Sequence, residues 1–559
     1  MRKLTRLTCE RSFMRTQPLG AHSFMVHIAF FETLLLLLLG AVILSLMARH
    51  IDVPPAIVLL LGGAALGLVG PVMTVAIEPD DIMVVLIPPL LMSSAFYTAW
   101  RDFRRELLPI MSLAAGAVVF TTAAVACAAH VLFSALPWGA CIALGAIVSP
   151  PDAVAAKALL HRLPIPERLV TVLEGESLIN DASGLLIYRF AVLSTMAGTF
   201  SADSALVAFP ITVIVGVVVG AVFGAASVFV FKWLDDAKLA IVLTFLIAWA
   251  SYIVGERAHG SGVLSVVTCG LIVGMCQHRA FDAAIRVKAT ATWDVIVFVL
   301  ESLVFILIGL SMQGVVARIT GTNSLPAVWA LSIEWKIVVA VFVAVVGSRF
   351  LWALGAMALP AHIIGRSKGQ RTTIDFKEAT IVGWAGMRGV VSLAAALALP
   401  ESFPQRDLLV FTTFVVIFTT VILQGLTLRP LTRLLRLRAD TPPVPYLSQL
   451  DARAFTFGAS IAELEKIDLA ECGGNQDLVV RLISEYEARV DLNQHAHSGD
   501  VEHVQRRFSR LNLGLRAVLA GRRALVELHE QRRIKDTVLR RIEAELDLEE
   551  LRLRRLLDR

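Results

Sequence analysis

Over the first 430 or so residues apolar positions do not alternate with polar ones; they run in blocks of roughly twenty, divided by short polar turns. A hydrocarbon core about 30 Å thick is crossed by about 20 apolar residues in helical conformation. Windows of that length predict about thirteen helices: 26–47, 54–70, 82–99, 107–134, 137–158, 168–196, 204–231, 239–255, 261–277, 292–315, 327–357, 378–399 and 408–431. The predicted fold class is therefore an all-α polytopic membrane protein. Two windows carry helix breakers. Ser149-Pro150-Pro151-Asp152 interrupts 137–158, where prolines remove backbone donors that lipid cannot replace. Three glycines in Gly383-Trp384-Ala385-Gly386-Met387-Arg388-Gly389 weaken 378–399 in the same way.

Composition agrees with this division: 56% hydrophobic residues and a mean hydropathy of +0.72 are too apolar for a chain of soluble domains. The charge is uneven. Residues 440–559 hold 19 Lys+Arg and 21 Asp+Glu, so beyond the Thr441-Pro442-Pro443 turn the chain changes solvent. Three regions follow: an N-terminal extension at 1–25, a transmembrane region at 26–433 and a charged helical tail at 440–559. In the tail, Ile534, Val538, Ile542, Leu546 and Leu553 sit among dense Arg and Glu, as in a solvated hairpin or a dimerising bundle. Its net charge of −2 speaks against nucleic acid, and its own ligand is undefined.

Lys and Arg alternate between loops. One set (Arg49; Arg101, Arg104, Arg105; Lys157, Arg162, Arg168; Lys232, Lys238; Arg279, Arg286, Lys288; Arg366, Lys368, Arg371, Lys377) holds 16, and the other holds Arg257, Arg318 and Arg406. The basic set belongs on the cytoplasmic side, with the C-terminus. Arg2, Lys3, Arg6, Arg11 and Arg15 conflict with an external N-terminus; either Met25 is the true start, or a short tail is translocated despite its charge. The six cysteines show no C-x-x-C pair and no neighbouring His cluster, so neither zinc nor a disulfide framework is indicated.

Ionisable residues inside membrane helices mark function by default. Asp152 lies at the double-proline break, where freed carbonyls and half-helix ends can hold an ion at mid-membrane; the plainer role is an N-cap. The stretch Glu174-Gly175-Glu176-Ser177-Leu178-Ile179-Asn180-Asp181 sets Ser177 and Asp181 four residues apart, and likewise Glu176 and Asn180, on adjoining helical stripes. In such a place Asp181 can hold a proton or a small cation, and the two compete. Arg388 needs an anion, and Glu176 is its candidate partner, which leaves Asp181 free for transport. Glu301 stands alone in Phe298-Val299-Leu300-Glu301-Ser302-Leu303 and faces either a neighbouring helix or the ion path. Arg189 and Lys336 also lie within helices and can snorkel or pair. Interrupted helices in both halves of the chain point to a secondary transporter with inverted repeats. No Walker A pattern occurs, so an ion gradient is the expected energy source.

Several segments resemble the sodium/proton exchanger branch of the monovalent cation:proton antiporters, the NhaP-like bacterial proteins related to animal exchangers. They are Pro88-Pro89-Leu90-Leu91, Ser149-Pro150-Pro151-Asp152-Ala153-Val154-Ala155, the Glu174 to Asp181 stretch, Ser261-Gly262-Val263-Leu264, Phe305 to Leu310, Gly386-Met387-Arg388-Gly389-Val390-Val391-Ser392 and Gln424-Gly425-Leu426-Thr427, in order over residues 30–435. The resemblance implies a homodimer in a bacterial plasma membrane, with about thirteen helices per subunit and a core domain that moves like an elevator against a dimerisation domain. It implies that Asp181 is the shared site for H⁺ and Na⁺, that Asp152 and Ser177 help coordinate the Na⁺, that Asn180 goes with electroneutral exchange, and that Glu176 and Arg388 form a structural pair. No cofactor is implied beyond the transported ions. Pro151 stands where many members have Thr, leaving its backbone carbonyl as the ligand. Ser93 stands where Glu is common, and Glu301 where Asn is common; these departures bear on ion selectivity.

The leading expectation is exchange of Na⁺, or of Li⁺ or K⁺, for H⁺ in pH and cation homeostasis, with a K⁺/H⁺ exchanger of the same fold as alternative. A more distant reading is an intramembrane aspartyl protease with Asp152 and Asp181 sharing a proton, disfavoured because a G-x-G-D element is absent. A channel or transporter-derived sensor with the tail as output is the third.

Overall fold

The computed structural model describes residues 19–68, 79–152, 165–197, 202–234, 236–320, 332–358, 375–437, 449–466, 476–494, 501–531, 533–534 and 536–557. Among these, every regular element is helical. The chain divides into two compact units, Met1–Ala439 and Asp440–Arg559.

In the first unit α1 spans Leu19–His50, α2 Pro55–Leu68, α3 Pro79–Tyr97 and the short α4 Trp100–Arg105. Helix α5 (Leu107–Leu132) contains a π-helical turn at Ser112–Ala117. Then come α6 (Trp138–Val148), α7 (Glu167–Ala197), α8 (Ala202–Phe231), α9 (Ala237–Arg257), α10 (Gly262–Ala280), α11 (Ala283–Thr320), α12 (Ser332–Trp352), α13 (Phe376–Trp384), α14 (Val390–Leu397) and α15 (Arg406–Leu435). Seven of the described helices (α1, α5, α8, α9, α11, α12 and α15) are long and apolar enough to cross a membrane, and shorter apolar helices lie in α2, α3, α6 and α10. The chain is an all-α polytopic membrane protein.

Helix starts are set by local chemistry. Asp236 accepts from the Lys238 amide to open α9, Ser261 accepts from Leu264 to open α10, and Asp375 with Glu378 forms a capping box before α13. The interrupted windows end where the breakers stand. α6 stops at Val148, and Ser149 to Asp152 are non-helical; the continuation at 153–164, with Ala153, Val154, Ala155, Lys157 and Arg162, lies outside the described residues. The window 378–399 resolves into two helices separated by Ala385 to Gly389.

The helices pack as two groups. α1, α2, α3, α8, α9, α10 and α11 form a scaffold group, and α5, α6, α7, α12, α13, α14 and α15 form a second group that contains both breaks. Glycines show how tightly each is made. In the scaffold group a Cβ on Gly63 would strike the backbone of Ile306, on Gly309 that of Leu60, on Gly220 that of Ser265 and on Gly274 that of Phe96. In the other group Gly145 presses on the Thr122 backbone and Gly184 on Pro150. Between the groups the seam is ordinary apolar packing, with Ile57, Leu60, Phe305 and Ile306 in one core with Phe414, Ile417 and Val421. At the seam Gly425 meets only the side-chain tips of Ile57 and Met387. Interlocked backbones favour a stiff group on each side, whereas among the described residues the glycine at the seam meets side chains rather than backbone.

In the second unit α16 (Gln449–Leu464) packs on α17 (Gln476–Gln494), and α18 (Val501–Glu530) on α19 (Asp536–Leu557). The second hairpin closes where Gly514 meets Leu553 and Gly521 meets Leu546. Arg522 clasps it by reaching Asp547 and Glu550, the latter at 2.7 Å. Ile534 lies in the turn rather than on a helix.

Candidate ion-binding site

A helix that ends at two prolines leaves carbonyls without partners, because Pro150 and Pro151 have no N–H to offer the preceding turn. The end of α6 finds replacements from three directions. Ser149 Oγ donates back to Ala146 O at 3.4 Å. Arg388 Nε donates to Val148 O at 2.7 Å. Asn180 Nδ2, from α7, donates to Pro151 O at 2.7 Å. The Asp152 amide, which an unbroken helix would direct to Val148, donates instead to Met387 O at 2.7 Å.

That last bond joins the two breaks. In return the Val390 amide, at the start of α14, donates to Asp152 Oδ2 at 3.3 Å. Asp152 therefore caps the half-helix of the other break, where a carboxylate also suits the positive end of the helix dipole. Gly389 makes room, since a Cβ there would fall on the Asp152 carboxylate. Arg388 is fully buried, and its amide donates to Thr420 Oγ1 at 3.2 Å while Nη1 donates to Gly386 O.

Asp181 lies in the middle of α7, one residue beyond Asn180, and is 8% exposed. Among the described residues it accepts no hydrogen bond, and it is close enough to Asp152 for the two carboxylates to interact electrostatically. Ser177, one turn earlier, is half-buried. The structure thus gathers Asn180, Asp181, Pro151, Asp152 and Arg388 at one crossing. Ser93 (buried in α3) and Glu301 (half-buried in α11) belong to the scaffold group across the seam.

The expected Glu176–Arg388 pair is not what forms. Glu176 receives a bidentate fork from Arg349 of α12, at 2.5 and 2.7 Å, with both residues almost completely buried. Arg349 Nε also donates to Val382 O at 3.0 Å. The planar fork matches a carboxylate that sits across from it, whereas Arg388 is turned to the α6 carbonyl end. Gly386 lies between the two guanidinium groups, and a Cβ there would strike both. Sequence reasoning passed over Arg349. Its signal was present: Ser348-Arg349 sits inside the apolar window 327–357 just as Lys336 does, yet Lys336 is exposed and Arg349 is buried.

Comparison with known proteins shows the family and the fold. The family described as "Sodium/hydrogen exchanger, transmembrane" matches residues 34–434. An uncharacterised Na⁺/H⁺ exchanger of Mycobacterium bovis is 30% identical over 531 residues, covering 92% of this chain and 95% of the relative. A low-affinity Na⁺/H⁺ antiporter of Synechocystis is 28% identical, covering 74% of this chain and 76% of the relative. In fold the chain is similar to the sodium proton antiporter MjNhaP1 of Methanocaldococcus jannaschii, with a TM-score of 0.57 and 19% identity over 73% of this chain and 99% of that one. With the family pattern spanning the helices that build the crossing, the chain belongs to the sodium/hydrogen exchanger family: it is a secondary transporter of the bacterial plasma membrane, not an enzyme, and exchanges Na⁺ or a related cation for H⁺.

Proposed function

We propose that Asp181 is the single carboxylate at which H⁺ and the transported cation compete, and that each exchange cycle carries one or the other across, without net charge movement. The observation that carries this reading is a division of labour at the crossing. The Asn180 amide nitrogen, the Pro151 carbonyl and the Asp152 amide are engaged in holding the broken helices, while Asp181 beside them accepts no hydrogen bond among the described residues. An unpaired carboxylate is costly in a membrane, so the site group crosses only when Asp181 is neutralised by a proton or a cation. Asp152, Ser177 and the Pro151 carbonyl complete the oxygen shell for Na⁺, with Ser93 and Glu301 adjusting selectivity from the scaffold side. Glu176 serves as structural partner, now to Arg349, and keeps a second acid out of the transport step.

The two stiff groups and their smooth seam support movement of the site group against the scaffold, in a homodimer of about thirteen helices per subunit with inverted repeats and a cytoplasmic C-terminus. The test is collapse of an imposed pH gradient in proteoliposomes on adding Na⁺, Li⁺ or K⁺. Wild type should respond to at least one cation, at a rate independent of membrane potential, and Asp181→Asn to none. Cation-dependent proton flux retained in Asp181→Asn would refute the assignment, and whichever cation acts in wild type decides between Na⁺/H⁺ and K⁺/H⁺ exchange.

A further inference from the structure

Ion pairs span the seam between the scaffold group and the site group among the described residues. In the first, Arg189 Nη2 of α7 lies 2.7 Å from Glu256 Oε2 at the end of α9. Arg189 sits on the same helix as Asp181, eight residues on, and Glu256 is itself fixed because its Oε1 accepts from the Gly262 amide at 2.9 Å. In the second, Arg429 Nη1 near the end of α15 meets Asp52 Oδ2 in the turn between α1 and α2. The Asp52 turn carries Arg49 and belongs to the basic set of loops, whereas the Glu256 turn carries Arg257 and belongs to the sparse set, so the two pairs stand on opposite membrane faces.

We infer that Arg189–Glu256 and Arg429–Asp52 are paired latches, one at each face, that hold the site group in its present position against the scaffold and must both open for transport. This rests on the proposed sliding movement and adds what restrains it. A displacement of α7 and α15 along the seam by even one helical turn, about 5 Å, carries Arg189 away from an acid pinned to the start of α10 and Arg429 away from a turn fixed between two scaffold helices. All four residues are at least a quarter exposed, so each pair is worth little as stability. Breakable contacts of that size suit a movement that has to repeat at every turnover, and the apolar packing between them offers no comparable register.

The test uses the full-length chain in proteoliposomes. Neutralising one partner, as Arg189→Gln, Glu256→Gln (which keeps the acceptor for Gly262), Asp52→Asn or Arg429→Gln, should raise the maximal exchange rate about two- to fivefold per pair. Within a pair the double variant should match the single ones, because the second change removes nothing further. Separately, in a background with the native cysteines replaced, cysteines at 189 and 256 or at 52 and 429 joined by a short reducible bis-thiol cross-linker should stop exchange, and reduction should restore it. Cysteines at 106 and 168, which replace the Glu106–Arg168 pair inside the site group, should leave exchange running when joined. Cross-links that arrest exchange combined with neutral variants at wild-type rate would overturn the latches while leaving the movement standing. Undiminished exchange with both seam cross-links closed would overturn the movement itself, and the latches with it.

Discussion

Asn180 donates its side-chain amide to the carbonyl of Pro151 at 2.7 Å, which ties the residue preceding Asp181 to the end of the broken helix α6. The bond fixes α7 and the end of α6 together beside Asp181. It uses one of the two lone pairs of the Pro151 carbonyl, which leaves the other for the cation in the proposed site.

Removing that donor should therefore act on binding before it acts on folding. Asn180→Ala leaves a buried carbonyl unsatisfied, a loss of about 1–3 kcal/mol, and shifts the Pro151 ligand. The apparent KM for the cation should rise roughly tenfold or more by the same conversion, with a smaller change in maximal rate, read from pH-gradient collapse at graded cation concentrations.

The buried fork between Glu176 and Arg349 predicts a different signature. Arg349→Met or Glu176→Gln alone strands a charge and should lower unfolding stability by about 3–5 kcal/mol. The double variant should lose much less than the sum. Arg388→Met combined with Glu176→Gln should show clearly smaller coupling, since the side-chain hydrogen bonds of Arg388 go to the Val148 and Gly386 carbonyls and none reaches Glu176. Thermal unfolding in detergent across both cycles decides which arginine is the partner.

Gly389→Ala would put a methyl where the Asp152 carboxylate now lies. The bond from the Val390 amide and the junction of the two breaks would be displaced together. Exchange should fall at least tenfold, while protein level and membrane insertion stay near wild type; a variant with unaltered cation dependence would show that Asp152 has no part in the site.

The tail carries a pH dependence of its own. The hydrogen bond from Arg554 first, with Arg522 adding its charge, holds the Glu550 carboxyl below its ordinary value. A depressed carboxyl contributes stability above its unfolded value and loses it as pH falls through the folded one. The α18–α19 hairpin should therefore keep its protection from neutral pH down to about 5 and exchange its amide hydrogens faster as pH falls below about 4, after correction for intrinsic rates, and Arg522→Ala should weaken that pH dependence.

Much of the crossing could be read from residue types, because prolines, glycines and charges in an apolar run have few tolerable explanations. Asp152, Asn180 and Asp181 stood out for that reason, and so did both breaks. Pairing was harder. Glu176 had two buried arginines to choose from, and nothing local says that Arg388 turns to Val148 O while Arg349, 173 residues beyond Glu176, supplies the fork. The π-helical turns at Ser112–Ala117 and Ala353–Ala358 also left no readable pattern, since one extra residue in a uniformly apolar helix changes no periodicity that lipid would report.

The central claim is that one carboxylate serves both ions, and proton release on cation binding tests it without any transport step. Purified wild-type protein in lightly buffered detergent, titrated with the cation that drives exchange, should release about one proton per bound cation where Asp181 starts protonated, with the apparent cation affinity falling about tenfold for each unit by which the pH is lowered in that range; Asp181→Asn should release none. Saturable cation binding to wild type with no proton released, or release unchanged in Asp181→Asn, would contradict the account.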